Sequence, residues 1–499
     1  MKRAFDPGSL VSIAVDRRSR QPMHRQVYAS IRAAIAAGQL RPGQRLPSTR
    51  ALADQLGVSR TPVVLAFDQL LAEGYVQGRV GAGTYVSPAL PALRGAHPGA
   101  SRERGPRRVA FEGGDVAAGE PTPWAPGQEA FRIALPALEH LPVATWGRLV
   151  ARHARRLTRR ACTHGDPLGH PALREVLASY LSASRGVRCE PGQILIVSGS
   201  QQALALCARV LVGAGQEAWL EDPGYPGARA AFELAEAKLV PVPVDEEGLD
   251  VAAGLRRAPS ARAAYVTPSH QYPLGVTLTL ARRLQLLEWA RQAGAWLIED
   301  DYDAEYRYES APVAPLHALD ADQRVLYVGT FSKVLFQSLR IGYLVVPSDL
   351  VPAFARARDA LDVFPAPLLQ AALAEFVSEG HFSRHLRRMR VRYRARRTAL
   401  VEALRGELGG RARILGAEAG LHLVLELPPS APDVEISRRA LAAGVVAKPL
   451  SPYGQGRVSR RGLVLGFGGV GEARCREAVR TLAGVLRSAV PGWAGRGAR

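Results

Sequence analysis

The sequence contains little cysteine and no long hydrophobic run. Its four cysteines are too few and too scattered for a disulfide framework or a cysteine-bound metal site. No stretch of about 18 uncharged apolar residues is present, so a transmembrane helix is not expected. The N-terminus also lacks the apolar core and small-residue cleavage site of a secretory signal. These absences predict a cytoplasmic protein that does not enter a membrane.

Lysine is almost missing as well. The chain has four lysines against 61 arginines, and one of the four, Lys333, lies in the small-residue and apolar stretch VGTFSKVLF. A lysine amine can form a Schiff base with an aldehyde, whereas an arginine guanidinium cannot. We therefore expect the amine at position 333 to be used chemically.

The charge that is present is mostly positive and unevenly distributed. At 499 residues, with 47% hydrophobic and 22% charged residues, the composition is that of a globular protein with two or more domains. The net charge is +20, and the first 110 residues carry 17 basic against 6 acidic residues. This excess indicates an anionic partner for the N-terminal part, nucleic acid before membrane. A general preference for arginine would also make the chain basic.

Three segments follow from the pattern along the chain. Residues 1–88 form a compact helical segment that closes on a glycine-rich stretch. Residues 89–114 are rich in proline, glycine and arginine without periodicity, which is typical of a flexible linker. From 115 to 499, helical patterns alternate with short apolar runs, which predicts an α/β domain with a mostly parallel sheet.

The N-terminal segment is predicted to contain three helices. The first spans about 23–37 and has an apolar face. Ser48 caps a second helix that ends at Gly57, and Ser59 caps a third. Pro62 lies close enough to that cap for its missing N–H to cost no intrahelical hydrogen bond.

The second and third helices are joined by Leu-Gly-Val, and the strands GYVQGR and GTYVS follow as a hairpin around Gly81 and Gly83. This order is typical of a winged helix-turn-helix, whose recognition helix presents side chains to base edges. The stretches LRPGQRLPSTRALADQLGVSRTPV and RVGAGTYV resemble the GntR family of winged-helix regulators. The resemblance implies that the partner is a double-stranded DNA operator.

The resemblance also implies which residues meet the DNA. Arg60 is the candidate for a bidentate contact to guanine, and family members often carry Asn where this chain has Thr61 and Pro62. Arg50 and the cluster Ser59-Arg60-Thr61 would meet bases or phosphates. Arg45 and Ser48 would steady the backbone, and Gly83 and Thr84 would let the wing tip approach the minor groove. The complete implied set is Arg45, Ser48, Arg50, Ser59, Arg60, Thr61, Gly83 and Thr84.

In the large domain, polar clusters follow several of the apolar runs, and the carboxyl ends of parallel strands are where such sheets bind ligands. The sequence SGSQQAL at 198–204 opens a helix, whose first N–H groups can hold a phosphate. Tyr225, in a turn fixed by proline and glycine, suits stacking on a flat ring. His270 and Gln271 lie on a loop after another strand. Taken alone, the sequence SGSQQAL and Tyr225 are each more typical of an ordinary turn than of a binding site.

Four acidic residues end another run: Glu299, Asp300, Asp301 and Asp303. Such a density of carboxylates is costly unless something positive lies close. A metal ion, a protonated pyridine nitrogen and a solvated loop all remain open.

Lys333 follows the next run, 33 residues after Asp300 and beside Thr330. Arg340, seven residues later, can meet a phosphate bidentately. Together with the clusters above, these residues provide the parts that pyridoxal 5'-phosphate requires: a lysine, a carboxylate for the ring nitrogen, an aromatic ring and a phosphate cradle.

Residues 115–490 resemble the fold-type-I, aspartate-aminotransferase-like domain, and their sequence motifs resemble those of MocR-type regulators. The pieces that carry this are GDPLGHPALREVLASYLSASRGV, VSGSQQAL, EDPGYPGAR, VTPSHQYPLGVTLTLARRLQLLEWA, IEDDYDAEYRY and VGTFSKVLFQSLRIGYLVVP. The resemblance implies an α/β fold with helices on both faces of a mostly parallel sheet, a small C-terminal α+β part, and an N-terminal winged helix-turn-helix.

Carried over residue by residue, the resemblance makes Lys333 the aldimine lysine and Asp300 the partner of the pyridine nitrogen. Tyr302 would bond the ring hydroxyl and Tyr225 would stack on the ring. The phosphate would be held by Ser200, Gln201, Thr330 and Arg340. Aminotransferases also carry an arginine that grips the substrate carboxylate, and that position falls near Val464 here.

The combined prediction is a transcriptional regulator that binds pyridoxal 5'-phosphate. An amine, an amino acid or the cofactor itself would act as the effector through the Lys333 aldimine, in a head-to-tail homodimer. Two alternatives remain open. One is an active aminotransferase that carries a DNA-binding module, and the other is a regulator whose large domain has lost the cofactor.

Overall fold

The computed structural model describes residues 15–19, 21–79, 82–88, 130–159, 162–308, 314–455, 460–490 and 493. The chain divides into two compact units, Met1–Ala110 and Phe111–Arg499, and each has its own hydrophobic core. The linker predicted at 89–114 lies outside the described residues. The domain boundaries at 88 and 115 therefore remain predictions.

The first unit has three helices followed by a hairpin. Helices α1 to α3 are Met23–Ala36, Thr49–Leu56 and Arg60–Ala72, and strands β1 and β2 are Val76–Arg79 and Gly83–Val86. The two strands are antiparallel. The predicted helices and hairpin are confirmed, while Gly81, predicted for the hairpin turn, lies outside the described residues.

The helix ends of this unit follow from local chemistry. The Ser48 hydroxyl accepts the Ala51 N–H at 3.1 Å and begins α2, and Gly57 ends it in the left-handed region at φ 60°. Ser59 occupies the N-cap of α3 but makes no side-chain capping bond. Pro62 is the third residue of α3, where an N–H has no partner within the helix. The buried face of α1 is the predicted one and consists of Val27, Ile31, Ala34 and Ile35.

The second unit is built on an eight-stranded sheet. Its strands are β3 (Ile194–Val197), β4 (Glu217–Asp222), β5 (Lys238–Asp245), β6 (Gly248–Leu249), β7 (Ala263–Val266), β8 (Trp296–Asp300), β9 (Val325–Thr330) and β10 (Gly342–Val345). Their order is β3-β10-β9-β8-β7-β4-β5-β6. The strands from β9 to β5 are parallel, and β10 is antiparallel to both of its neighbours.

The short apolar runs QILIVSG, AWLEDPGY, AAYVTPSH, AWLIEDDYD, VLYVGTFSK and LRIGYLVV contain six strands of this sheet, which confirms the mostly parallel α/β prediction. Strand β5 was not predicted from the sequence. Its segment, KLVPVPVD, contains two prolines, and proline normally argues against a position inside a sheet.

Helices cover both faces of the sheet. Ile194 and Ile196 of β3 join one core with α5 and α12, whereas Leu195 and Val197 join the opposite core with α6 and α7. The helices of this unit are α4 (Val143–Arg155), α5 (Pro171–Arg185), α6 (Ser200–Leu211), α7 (Pro226–Leu234), α8 (Val251–Arg257), α9 (Leu280–Ala293), α10 (Leu316–Leu319), α11 (Val351–Asp362), α12 (Pro367–Ser378), α13 (His381–Leu408), α14 (Asp433–Ala442) and α15 (Glu472–Ala489).

A second, smaller sheet forms the C-terminal part with α14 and α15. It consists of β11 (Arg413–Leu415), β12 (His422–Leu427), β13 (Lys448–Pro449) and β14 (Arg461–Gly466), in the order β11-β12-β14-β13 and antiparallel throughout. This is the small α+β part that the sequence predicted. Across the described ranges, no helix has both the length and the apolar character that crossing a membrane requires.

The cap at Ser48 can be separated from any role of Ser48 at DNA. Ser48→Ala should destabilise α2 by about 1 kcal/mol, because one helix N–H loses its acceptor. Ser48→Asp should retain the cap, since aspartate also accepts that bond, but its negative charge should weaken DNA binding. Hydrogen exchange of the α2 amides in the full chain measures the first effect. Equal exchange rates in the two variants would contradict it.

Candidate functional site

The candidate site of the second unit lies where parallel strands end. Strands β9, β8, β7 and β4 are consecutive neighbours, so their carboxyl ends lie along one edge of the sheet. Lys333, Asp300, the loop at 267–275 and Glu221 follow or end these four strands in that order. The sheet therefore brings together residues that are more than a hundred positions apart in sequence.

Lys333 lies three residues beyond the end of β9. The turn is held by the Ser332 N–H, which donates to the Thr330 hydroxyl at 3.2 Å, and by His385, whose ring contacts the Val334 carbonyl at 2.9 Å. Burial lowers the pKa of Lys333 below its usual value, against the opposing carboxylates of Asp303 and Asp300. A lowered pKa keeps more of the amine unprotonated, which is the form that attacks a carbonyl.

Asp300, the last residue of β8, is 3% exposed. Its Oδ2 accepts the Tyr265 hydroxyl at 3.0 Å, whereas its Oδ1 is buried with no hydrogen-bond partner. Burial raises the pKa of Asp300 to about 7, and the bond from Tyr265 opposes this rise. An unpaired buried carboxylate oxygen requires a donor. The N–H of a protonated pyridine ring has the chemistry that this oxygen lacks.

An anion cradle lies at the start of α6. Gly199 precedes the helix at φ 92°, and a Cβ on Gly199 would lie 3.1 Å from Nη1 of Arg340. The Arg340 guanidinium therefore covers the N-terminal end of α6, where Ser200 and Gln201 are the first two helical residues. Unpaired N–H groups and a guanidinium together suit a phosphate. The Gln201 side chain donates to the Gly227 carbonyl at 2.7 Å, so its backbone N–H is the group that faces an anion.

Tyr225 and Tyr302 are both half-buried. Burial and the charge of Asp300 raise the pKa of Tyr225 to about 12, and Arg340 opposes this rise. The Tyr302 hydroxyl donates to the His270 carbonyl at 2.9 Å. Tyr272 lies between them, with its ring 5.5 Å from that of Tyr225 and 6.1 Å from that of Tyr302.

The four acidic residues at the end of β8 have four different environments. Glu299 accepts the N–H groups of Leu316 and His317 at 2.8 and 2.9 Å. Asp301 pairs with Arg185, and Asp303 contacts His270 at 3.1 Å. Because these carboxylates have separate partners, they do not converge on one ion as a metal site would require. Asp300 and Asp301 each keep a buried Oδ1 without a hydrogen-bond partner, but Asp301 is ion-paired with Arg185 whereas Asp300 accepts only the neutral Tyr265 hydroxyl.

Several site residues were missed in the sequence. Glu221, at the end of β4, is 2% exposed and accepts the Thr267 hydroxyl at 2.6 Å. Arg283 is fully buried and donates to the carbonyls of Pro268 and Leu278 at 2.8 and 2.9 Å. Both residues fix the loop at 267–275. The strand-end position of Glu221 was a usable signal, but nothing in the sequence marks Arg283.

The position expected to bind a substrate carboxylate is apolar. Val464 lies within β14 and packs with Leu274, Val424 and Leu450 in a buried cluster. Of the neighbouring arginines, Arg460 contacts Glu246 at 2.7 Å and Arg461 contacts Asp433 at 3.1 Å, while residue 457 lies outside the described ranges. No arginine occupies the strand position itself.

In the first unit, the residues assigned to DNA lie on α3 and its N-cap, on α2 and the turn before it, and on the wing. Arg60, the first residue of α3, donates from Nε to the Thr49 hydroxyl at 3.1 Å. A Cβ on Gly83 would lie 3.1 Å from Nε of Arg45, so Arg45 packs against the wing. The assigned residues are exposed except Thr84, which is half-buried: Arg45, Ser48, Arg50, Ser59, Arg60, Thr61 and Gly83.

Two family models match the chain. "Bacterial regulatory proteins, gntR family" matches residues 23–86, and "Aminotransferase class I and II" matches residues 139–466. Among solved structures, α-aminoadipate aminotransferase LysN of Thermus thermophilus is 31% identical with a TM-score of 0.67, covering 73% of this chain and 93% of that one. A kynurenine aminotransferase of Pyrococcus horikoshii is 29% identical with a TM-score of 0.67, and the match covers 72% of this chain and 90% of that one.

Curated relatives match both parts together. The "Probable rhizopine catabolism regulatory protein MocR" of Rhizobium meliloti is 41% identical, over 94% of this chain and 95% of that protein. The pyridoxine biosynthesis transcriptional regulator PdxR of Corynebacterium glutamicum is 35% identical, over 89% and 91%. Together these matches show that the chain is a transcriptional regulator of the GntR family and of the MocR type, in which a DNA-binding helix-turn-helix is joined to an aminotransferase class I and II domain.

Proposed function

We propose that this regulator binds pyridoxal 5'-phosphate at Lys333 and that the state of this site controls DNA binding by the winged helix. The observation that carries the proposal is the unpaired, buried Oδ1 of Asp300. It lies in the same site as an amine of lowered pKa, Lys333, and an anion cradle under Arg340. These three groups match the ring nitrogen, the aldehyde and the phosphate of one cofactor.

Each residue has a role that its surroundings support. Asp300 would accept the ring N–H, Tyr225 would stack on the ring, and Tyr302 would bond the ring hydroxyl. The phosphate would be bound by Ser200, Gln201, Thr330 and Arg340. The bound cofactor supplies an aldehyde carbon that can exchange one amine for another. The chain itself supplies a lysine amine whose pKa is lowered by burial.

The effector in this proposal is a small amine, an amino acid or the cofactor itself. The MocR relative is named for rhizopine catabolism and PdxR for pyridoxine biosynthesis, which supports either kind of ligand. An effector changes DNA binding only if the two states of the regulator bind it with different affinity. Release of the Lys333 amine on exchange provides such a difference. We further propose a cytoplasmic head-to-tail homodimer that binds a double-stranded operator.

A second candidate function is sustained transamination, and the likeness to solved aminotransferases favours testing it. The apolar Val464 argues against it, because a substrate carboxylate gains no guanidinium from that strand position. With amino-acid donors, we expect at most a single slow half-reaction. Continuous production of 2-oxo acid over many turnovers would show that the chain is an enzyme.

Cofactor binding can be tested by absorbance. The wild-type chain mixed with pyridoxal 5'-phosphate should show a band at about 410–430 nm, typical of imines of this cofactor. Lys333→Ala and Lys333→Arg should both abolish it, because neither side chain can form the imine. Lys238→Arg is the matched control, since Lys238 is exposed and paired only with Glu217, and it should retain the band. A band that survives in Lys333→Ala would contradict the assignment.

DNA recognition can be tested at Arg60. Arg60→Ala should weaken binding to a duplex selected by the wild-type chain by about 1–3 kcal/mol, because one bidentate base contact is lost. The cofactor absorbance band of this variant should be unchanged. Arg438→Ala removes the same charge from an exposed site on the second unit and should bind DNA normally. Fluorescence anisotropy at several salt concentrations measures both variants. If the two variants bound equally well, Arg60 would not be a recognition residue.

A further inference from the structure

A buried cluster of charged and titratable groups lies beside Lys333 and has no role in the function proposed above. His270 from the loop after β7, Asp303 from the loop after β8 and His422 at the start of β12 are 1%, 2% and 2% exposed. One nitrogen or oxygen atom from each lies within 4.8 Å of the others. Burying such groups is costly unless their charges and hydrogen bonds are matched.

Both ring nitrogens of His270 face acceptors. Nδ1 lies 3.1 Å from Oδ2 of Asp303, and Nε2 lies 3.2 Å from the Gly416 carbonyl oxygen. A carbonyl oxygen and a carboxylate can only accept, so each contact requires a proton on the nitrogen. A ring with protons on both nitrogens is an imidazolium.

The surroundings hold the groups in this geometry. A Cβ on Gly420, which has φ 69°, would lie 2.2 Å from His270 Nδ1 and 2.4 Å from Asp303 Oδ2. A side chain at position 420 would therefore force the ring and the carboxylate apart. The Leu421 N–H also donates to Oδ2 of Asp303, at 3.3 Å.

The other charged and titratable neighbours of His270 are consistent with a positive ring. Burial lowers the pKa of His270 and Arg307 opposes protonation, but Asp303 and the Gly416 carbonyl outweigh both and raise the pKa above its usual value. The Tyr302 hydroxyl, 3.1 Å from Nδ1, donates to the His270 carbonyl. Its oxygen can thus accept from Nδ1.

His422 completes the cluster as a neutral ring. Its centroid lies 4.7 Å from that of His270, and its Nε2 contacts the Pro273 carbonyl oxygen at 3.1 Å. Burial and the neighbouring His270 hold the pKa of His422 well below its usual value, and Lys333 acts in the same direction. The cluster therefore holds one positive charge, on His270, and one negative charge, on Asp303.

The same geometry argues against a metal ion. A metal would need a lone pair on His270, but both nitrogens of this ring face acceptors and carry protons. On His422, Nε2 is likewise turned to a carbonyl oxygen.

We propose that His270 is a positioning residue whose positive charge neutralises Asp303, so that Asp300 remains the one uncompensated carboxylate near Lys333. This inference rests on the proposed cofactor site. Two carboxylates, Asp303 and Asp300, favour the protonated form of the Lys333 nitrogen. With Asp303 neutralised, that nitrogen releases its proton more readily. Asp300 stays free to act on the ring nitrogen.

The test compares three variants by the charge that each leaves in the cluster. His270→Gln keeps a donor for Asp303 but leaves a net charge of about −1 by simple counting. The double variant, with Asp303→Asn added, restores neutrality. In each loaded protein, the pH midpoint at which the visible band disappears reports the proton on the Lys333 nitrogen. Asp303→Asn alone leaves no negative charge in the cluster.

We expect His270→Gln to raise this pH midpoint by on the order of one unit, which corresponds to tenfold tighter binding of the proton on the Lys333 nitrogen. The double variant should return the midpoint to the wild-type value, and Asp303→Asn should not raise it. If His270 and Asp303 served only in packing, the double variant would show the largest change of the pH midpoint among the three variants. Equal midpoints in all proteins, or a double variant that shifts further than His270→Gln, would overturn the proposal.

A second measurement does not depend on the cofactor. Nitrogen chemical shifts of His270 in the cofactor-free full chain should show both nitrogens protonated well above the ordinary histidine pKa of about 6.5, with His422 neutral. Loss of a proton from His270 near that ordinary value would overturn the inference. Absence of the visible band in the wild-type chain would instead count against the cofactor site.

Discussion

The candidate cofactor site depends on one buried carboxylate, Asp300, whose Oδ1 has no hydrogen-bond partner. Asp300 ends a central parallel strand. Its Oδ2 accepts a hydrogen bond from the Tyr265 hydroxyl, and its Oδ1 has no hydrogen-bond partner. Burial of an unpaired charged oxygen is among the more costly features that a folded chain can contain. Such a feature is stable only if the charge is suppressed or a donor arrives, and burial raises the pKa of Asp300 to about 7. A protonated pyridine ring would provide that donor.

The surrounding acidic residues isolate Asp300. Asp301 is paired with Arg185, Glu299 is bonded to two backbone N–H groups, and Asp303 faces His270. Each neighbouring charge thus has its own compensation. Of the four acids that lie together in the sequence, three contact a cation, a histidine ring or backbone N–H groups, and Asp300 is the one that we propose for the cofactor.

Much of this was predictable from the sequence and some was not. The helices of the winged unit, six of the strands and the Ser48 cap follow from local periodicity and turn chemistry. The α/β class of the large domain follows from its alternating helical and apolar patterns, whereas the roles of the individual cofactor residues are implied by motif resemblance and remain predictions. Arg185 and Arg283 could not be found, because their partners are distant in sequence and the chain holds 61 similar arginines. No local sequence pattern indicates that Asp303 contacts His270, or that Gly420 packs against both side chains.

In the proposed function, the chemical state of Lys333 controls how tightly the winged helix binds DNA. The operator affinity of the full chain tests this at fixed salt, with and without pyridoxal 5'-phosphate and a primary amine, in wild type and in Lys333→Ala. We expect these ligands to change the affinity of the wild-type chain by about 5–150-fold, the usual range of such coupling, and to leave the affinity of Lys333→Ala unchanged. The same response in both proteins, or none in the loaded wild-type chain, would contradict it.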